Sequence, residues 1–267
     1  MPNHIPETTM QTPSEVAFTL DASQPVLTHT RSMQAESGIV PHSHPRGQLL
    51  WAAKGILRVT SEHAVWVVPS THAVWIPGGL LHQVSSETAA QTRNIYIDPS
   101  FAIRENEKAV IMLKMSPLMR EIVLKLTESA NHLSKERIQR LGLVALDELD
   151  ALEPLQLFIS SGDDPRLKKL ISHIVNHAAQ NEPLDLLSRR VGASVRTIER
   201  LFKAETGLTY RQWRSRFRLM NSLEHIVNGA NTTTVAHQLG YQSVSSFISA
   251  FKSLFGCTPQ EYASRKG

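Results

Sequence analysis

The sequence predicts a two-domain chain: an amino-terminal all-β barrel followed by amphipathic helices, then a carboxy-terminal all-α domain with a duplicated helix-turn-helix. Three observations predict it. Short β-rich runs fall between Val26 and Ile97, helical periodicity takes over after Pro99, and the basic charge gathers at one end. Residues 1–160 carry 13 Lys+Arg against 16 Asp+Glu, net −3, whereas residues 161–267 carry 15 against 8, net +7. A basic module joined to a mildly acidic one suggests a polyanion reader coupled to a domain that reads another signal.

The 267 residues are 41% hydrophobic and 19% charged, an ordinary globular composition that excludes a disordered, collagenous or fibrous chain. No apolar run approaches the ~18 residues of a membrane span, and the start, MPNHIPETTM, lacks the basic and apolar regions of a signal peptide. A soluble, cytoplasmic protein with no membrane partner is expected. The single cysteine, Cys257, cannot form an internal disulfide and excludes a cysteine-built zinc finger, so any metal must be held by histidine.

Residues 1–24, rich in Pro, Thr, Ser and Gln without apolar period, read as a disordered arm. The barrel occupies 25–99, through the closely spaced runs GQLLWAA, GILRVTS, AVWVVPS, HAVWIPG and RNIYIDP. Residues 100–159 form a helical region. Leu118, Met119, Ile122, Val123 and Leu126 share one face, and Ile138, Leu141, Ala145, Leu149 and Leu152 recur at steps of three and four. The second stripe is narrow, like a short coiled-coil seam, and predicts a homodimer through this region; the alternative is packing against its own barrel. The polar stretch SSGDDP, 160–165, reads as a linker, with Asp164 capping a new helix and Pro165 at its first position.

Residues 166–267 are helical almost throughout. Leu167, Leu170, Ile171, Ile174, Val175 and Ala178 make a core-facing stripe. LDLLSRRVG is then followed by Ser194 as a cap and by VRTIERLFKAET, which stops at Gly207. The outline recurs as TTVAHQLGY, Ser243 and VSSFISAFKSLF, stopping at Gly256, so the module is an internal duplication. In the first copy Ile198, Leu201 and Phe202 turn inward and leave Arg196, Thr197, Glu199, Arg200 and Lys203 outward; in the second, Phe247, Phe251 and Leu254 turn inward. The helix between the copies, about 19 residues, is roughly 28 Å long, near the ~34 Å between successive major-groove faces of DNA. Its arginines, Arg211, Arg214, Arg216 and Arg218, read either as phosphate contacts or as a solvated face with buried ion pairs, and Arg218, beside Leu219, as structural. His173 and His177 have zinc-like i, i+4 spacing without a third ligand and read as a solvated face.

Ala236, Leu239, Gly240, Tyr241, Ser243, Phe247, Phe251, Lys252, Phe255, Gly256, Thr258, Pro259 and Tyr262 give residues 166–267 their resemblance to the tandem helix-turn-helix domain of the AraC/XylS family of bacterial transcription regulators. The resemblance implies double-stranded DNA as a partner, and opens RNA polymerase as another. It assigns Arg196, Glu199 and Arg200 to base edges in the first unit and Val244, Ser245, Ile248 and Ser249 in the second. At these last positions the chain departs from the family, which often places larger polar or basic residues in the second unit. Val244 and Ile248 can touch only thymine methyls, so the first half-site is expected to carry more specificity, with Lys252 on a phosphate.

In the amino-terminal part, PHSHPRGQLLWAAKG places His42 and His44 two apart, Gln48 follows, and PGGLLH supplies His82. The spacing resembles the two cupin motifs, whose metal ligands are two His, a Glu and a later His. Two departures stand out: Gln48 replaces the glutamate, and Thr71 stands where glycine is frequent. Three readings stay open. One is a small-molecule effector pocket drawing on His42, His44, Arg46, Gln48, Trp51, Trp75 and His82, in which Arg46 either holds an anionic group or lies at the surface. Another is a divalent metal (Zn, Ni, Fe or Mn) on His42, His44, Gln48 and His82. The third is a purely structural hydrogen-bonding role. The expected function is therefore a DNA-binding regulator answering to a small-molecule effector. Likeness around HSHPRGQ to barrel-bearing members that control efflux transporters implies an adjacent transporter gene. The competing readings are a metal-dependent cupin enzyme with an appended DNA module, against which the missing carboxylate counts, and an architectural DNA binder that senses nothing. No catalytic residue is assigned.

Overall fold

The structure is a computed structural model describing residues 10–62, 64–86, 89–128, 133–155, 159–160, 162–177, 182–227 and 229–264. Residues 1–9 of the expected arm, Ser161 of the linker and Ala178 of the helical stripe lie outside the described residues. The chain divides into two compact units: Ile5–Ser61 with Val68–Leu157, and Phe158–Gly267 with Glu62–Val67.

The strands run in chain order as β1 (Met10–Gln11), β2 (Val26–Met33), β3 (Gly38–His42), β4 (Gly47–Lys54), β5 (Ile56–Thr60), β6 (Ala64–Pro69), β7 (His72–Ile76), β8 (His82–Ser86), β9 (Ala90–Ile97), β10 (Ile111–Lys114), β11 (Pro154–Leu155) and β12 (Ile159–Ser160). One sheet has the order β1-β3-β8-β5-β6 and the other β11-β10-β7-β4-β9-β2. Among the described residues the expected barrel is two separate sheets that do not close. The chain changes sheets between β3 and β4. Pro41 and Pro45 flank the crossing and offer no N–H to a ladder, and the pairing of β3 with β8 loses register between Ile39 and His42. Strands also continue past Pro99, since β10 pairs with β7 from Ile111↔Trp75 to Lys114↔His72.

Both faces of β4 are covered, which is why its burial does not alternate. Leu49 and Trp51, with Trp75, Ile95 and Ile97, pack under α1 (Pro117–Glu128) and α2 (Lys135–Ala151), through Met119, Ile122, Val123, Leu126, Ala145, Leu146 and Leu149. The stripe expected to pair with a second chain is therefore spent on this unit's own sheet, and Leu118, expected on the same face as Met119, is exposed. Gln48 and Leu50 point to the other face, toward Ile39 and Val84 of the facing sheet.

Part of the segment expected to be disordered is folded. Met10 and Gln11 pair in parallel with Gly38 and Ile39, and a 3-10 turn at Glu15–Phe18 buries Ala17. Its lack of apolar period hid the cause, which is capture of main-chain carbonyls by arginine. Arg31 donates to the Thr12 carbonyl at 2.8 Å, and the buried Arg46 donates to those of Thr19, Gln24 and Pro25.

The second unit opens with β12, which pairs antiparallel to β6 through Ile159↔Val65 and Ser160↔Ala64. Seven helices follow among its described residues: α3 (Pro165–Asn176), α4 (Leu184–Arg190), α5 (Val195–Thr206), α6 (Tyr210–Val227), α7 (Thr232–Gln238), α8 (Val244–Phe255) and α9 (Pro259–Ser264). Asp164, Ser194, Asn231 and Ser243 cap α3, α5, α7 and α8 by accepting main-chain N–H bonds. Gly207 and Gly256 end α5 and α8 in the left-handed region, at φ +72° and +74°. Phe202 and Trp213 anchor the first helix-turn-helix, α4–α5, on α6, while Phe247 and Phe251 centre the core of the second, α7–α8. Among the described residues no helix is long and apolar enough to cross a membrane.

Candidate DNA interface and a buried histidine cluster

On α5 the period of burial is clean. Ile198, Leu201 and Phe202 are inside, and Arg196, Glu199 and Arg200 stand exposed on the opposite face. Two neighbours are engaged locally: Thr197 Oγ1 lies 2.9 Å from Ser194 Oγ, and Lys203 donates to the carbonyl of Gly207 at 3.1 Å. On α8, Ser245, Ser249 and Lys252 are exposed, whereas Val244 and Ile248 lean on the core around Phe247 and Phe251. The 18 residues of α6 separate the two units by about 27 Å at 1.5 Å per residue. Of its arginines, Arg211 is exposed, Arg214 is buried with its guanidinium 5.9 Å from the Phe217 ring centroid, and Arg216 and Arg218 are half-buried. Arg211, Arg214 and Arg218 line, with Tyr210 and Tyr241, a cleft of about 610 Å³. The pair His173 and His177 is not simply solvated: His173 Nε2 sits 3.0 Å from Glu182 and the two rings stack.

In the first unit three histidines converge. His42 ends β3, His44 lies in the crossing to β4, and His82 opens β8 opposite His42. Ring centroids are 4.3 Å apart for His42 and His82, 5.1 Å for His44 and His82, and 5.6 Å for His42 and His44. Each Nδ1 meets a main-chain carbonyl: Val40 at 2.7 Å, Arg46 at 2.7 Å and Leu80 at 2.9 Å. One nitrogen from each ring lies within 4.8 Å of the others, and among the described residues no other group of three or more His, Cys, Asp or Glu side chains is placed to hold a metal ion. Burial pushes the His82 imidazole down to about 4 and lowers that of His42. The turn before His82 is held close to His44 by the Gly79 N–H, which donates to the His44 carbonyl at 2.8 Å. A side chain at Gly78 would collide with the Pro45 carbonyl.

Gln48 joins this cluster, its Oε1 2.9 Å from His44 Nε2. Three residues proposed for the effector pocket do not. Trp51 and Trp75 are on the far face of their sheet, beneath α1 and α2, because they sit one step out of phase with Gln48 and Leu50. Gly47 lets the Trp75 ring pack directly on the backbone there. Arg46 is fully buried and paired with Asp98 at 3.1 Å, so it is not a surface group and its guanidinium is turned to Asp98 and the carbonyls of Gln24 and Pro25. Sequence reasoning missed Asn94 and Tyr96, which β9 points at Gln48 and His44. The alternation of RNIYIDP carried that signal, since Asn94 and Tyr96 are two apart.

Comparison with known families matches residues 24–189 to the AraC-like ligand binding domain and residues 187–265 to a helix-turn-helix domain. The chain belongs to the AraC family of transcriptional regulators, with a ligand-binding amino-terminal domain and a DNA-binding carboxy-terminal one. It is similar to the HTH-type transcriptional regulator NimR of Escherichia coli K12, 35% identical over 228 residues, 84% of this chain and 82% of that protein. It also resembles the transcriptional activator RhaS of Escherichia fergusonii, 30% identical over 121 residues, 45% of this chain and 41% of that one. Among solved structures, ToxT of Vibrio cholerae aligns over 90% of this chain and 98% of its own at 12% identity, with a TM-score of 0.38.

Proposed function

We propose that this regulator reads its operator chiefly through α5, with Arg196 and Arg200 forking onto guanine and Glu199 accepting from cytosine or orienting an arginine. Ser245, Ser249 and Lys252 of α8 serve the second half-site mainly through phosphate and hydroxyl contacts. The observation that carries this reading is the exposed face of α5, where Arg196, Glu199 and Arg200 stand outward opposite the buried Ile198, Leu201 and Phe202. Footprinting of the purified chain on the intergenic DNA beside its own gene tests it. Protection over two successive major-groove faces is expected, and protection of a single face would remove the second unit from the interface.

The amino-terminal unit is the sensor, and its polar cluster of His42, His44, Gln48 and His82 is the effector-responsive centre. His42→Ala is expected to leave basal operator affinity intact and to change the response. The chain acts as a homodimer through α2, whose outer surface leaves Leu143 and Val144 44% and 42% exposed. Sedimentation of Leu143→Glu checks this, a monomer being the expected outcome. The neighbouring transporter gene is the natural target, and loss of its regulation on deleting the regulator gene is the corresponding readout.

A further inference from the structure

We propose that the cleft shared by the two helix-turn-helix units binds a small aromatic oxyanion, with its carboxylate or phosphate head on Arg214 and Arg218 and its ring against Tyr210 and Tyr241. The DNA-reading unit then has a ligand site of its own, separate from the sensor.

The cleft of about 610 Å³ is built on one face of α6, because Tyr210, Arg211, Arg214, Ser215 and Arg218 fall at spacings that return to the same side of a helix. Leu184 of α4 lines it from the first helix-turn-helix, and Tyr241 and Ser246 line it from the second. An occupant therefore touches both units at once. Gly240, at φ +74°, turns the chain beside Arg218, so that a Cβ added there would stand 3.8 Å from Nη1.

Three guanidiniums line this space with one carboxylate, that of Glu182. Its two oxygens lie 3.0 Å from His173 Nε2 and 3.0 Å from Arg190 Nε, so its charge is shared with groups outside the cleft. The lining is cationic on balance. Arg214 and Arg218 stand one helical turn apart, a spacing at which like charges repel. Burial lowers the pKa of the Arg214 guanidinium, and Arg218 acts in the same direction. A bound anion offsets both effects, and guanidinium forks match the oxygens of carboxylate and phosphate.

Depth favours a small molecule over the duplex. Arg214 lines the cleft yet is only 6% exposed. The backbone of a duplex is a convex surface that meets outward cations such as Arg211, whereas a small molecule can enter and reach Arg214. The aromatic walls are also set in advance. The Tyr210 ring packs 5.3 Å from Phe202, and the Tyr241 ring lies edge-on 5.3 Å from Phe247 with its hydroxyl 3.4 Å from Ser215 Oγ. Walls held by their own neighbours lower the ordering cost of binding. With Leu184 and Leu239 they put apolar surface beside the charges, and the volume falls within the roughly 300–1,000 Å³ of organic-ligand pockets. An inorganic anion would fill little of it.

The test is isothermal titration calorimetry of the full-length chain with 1-naphthyl phosphate, beside inorganic phosphate and 1-naphthol as the two halves of that probe. One-to-one binding of 1-naphthyl phosphate is expected, at least about tenfold tighter than either half. Arg218→Gln and Arg214→Met should each weaken it by at least about tenfold, while Lys169→Gln, an exposed charge on α3, should leave it unchanged. Arg218 is half-buried, so its variant keeps the test open should Arg214→Met fail to fold. The absence of a one-to-one complex overturns the proposal, as does equal affinity for either half. An affinity retained in Arg218→Gln while binding to random duplex DNA falls would also overturn it, by giving the cleft arginines to the DNA backbone.

Discussion

In the amino-terminal unit the informative polar side chains point inward, each bonded to at least one main-chain or side-chain group, whereas in the carboxy-terminal unit those of α5 and α8 point outward. Arg46 and Arg200 mark the extremes. The first is fully buried, paired with Asp98 and bonded to several carbonyls; the second stands exposed on the face of a capped helix. The same residue type is a fastening in one unit and, in the proposed interface, a probe in the other. Substitutions should separate accordingly, with sensor changes reducing stability and reader changes reducing affinity at constant stability.

The largest effect is expected for Arg46→Met. It strands the buried carboxylate of Asp98 and frees the carbonyls that tie residues 19–25 to the sheet. Breaking a buried pair from one side costs about 3 to 5 kcal/mol, since the remaining charge keeps its desolvation penalty. Thermal or urea unfolding of the full chain should register that loss. A change below about 1 kcal/mol would mean that the pair lies open to water and that Arg46 fastens nothing.

The next effect depends on pH. His72 opens β7 and is buried, and burial, with Lys114 adding to it, pushes its imidazole from 6.5 down to about 4. The unfolded chain binds the proton first on acidification. The stability due to neutral His72 is therefore whole above pH 6.5, falls as the pH drops toward 4, and falls no further once both states are protonated. The loss is at most about 3 kcal/mol, from 1.36 kcal/mol per pK unit. His72→Gln should flatten that part of the stability–pH curve. An unchanged slope would show that His72 takes up its proton while folded.

Arg200→Ala inverts the pattern. Operator affinity should fall by about 1 to 3 kcal/mol with relaxed sequence preference, and the unfolding midpoint should stay put, because an exposed side chain away from a cap changes stability by less than about 0.5 kcal/mol. Competition binding against random DNA sharpens the point. An equal loss on both DNAs would assign Arg200 to a phosphate.

The same contrast governs what could be read without coordinates. The helices of the second unit were legible in detail, down to the caps at Ser194 and Ser243 and the stops at Gly207 and Gly256, because a helix face is a local property of 3.6 residues per turn. In the first unit the strands and the trio His42, His44 and His82 were legible, but not the direction of each side chain. Trp51 and Trp75 looked as suited to a pocket as Gln48, and only the pairing of β4 with β7 and β9 decides which phase faces the other sheet. Arg46 was out of reach for a further reason. Its partners Asp21, Gln24, Tyr96 and Asp98 are 22 to 52 residues away and mostly offer carbonyls, which every residue possesses. The stripe on α2 had the right period and the wrong partner, since period reports that a face is buried and never against what.

The smallest effect completes the contrast within the reader unit. On α8 the two apolar positions, Val244 and Ile248, are partly withdrawn into the core, while Ser245 and Ser249 are exposed. A hydroxyl both donates and accepts and so fits either kind of base edge without choosing between them. Ser245→Ala and Ser249→Ala should therefore each weaken operator binding by less than about 1 kcal/mol, roughly the net worth of one neutral hydrogen bond. Base substitutions in the second half-site should be tolerated about equally by both variants. If either serine proves worth as much as Arg200, the two helix-turn-helix units share the reading evenly, and α5 is no longer the principal reader.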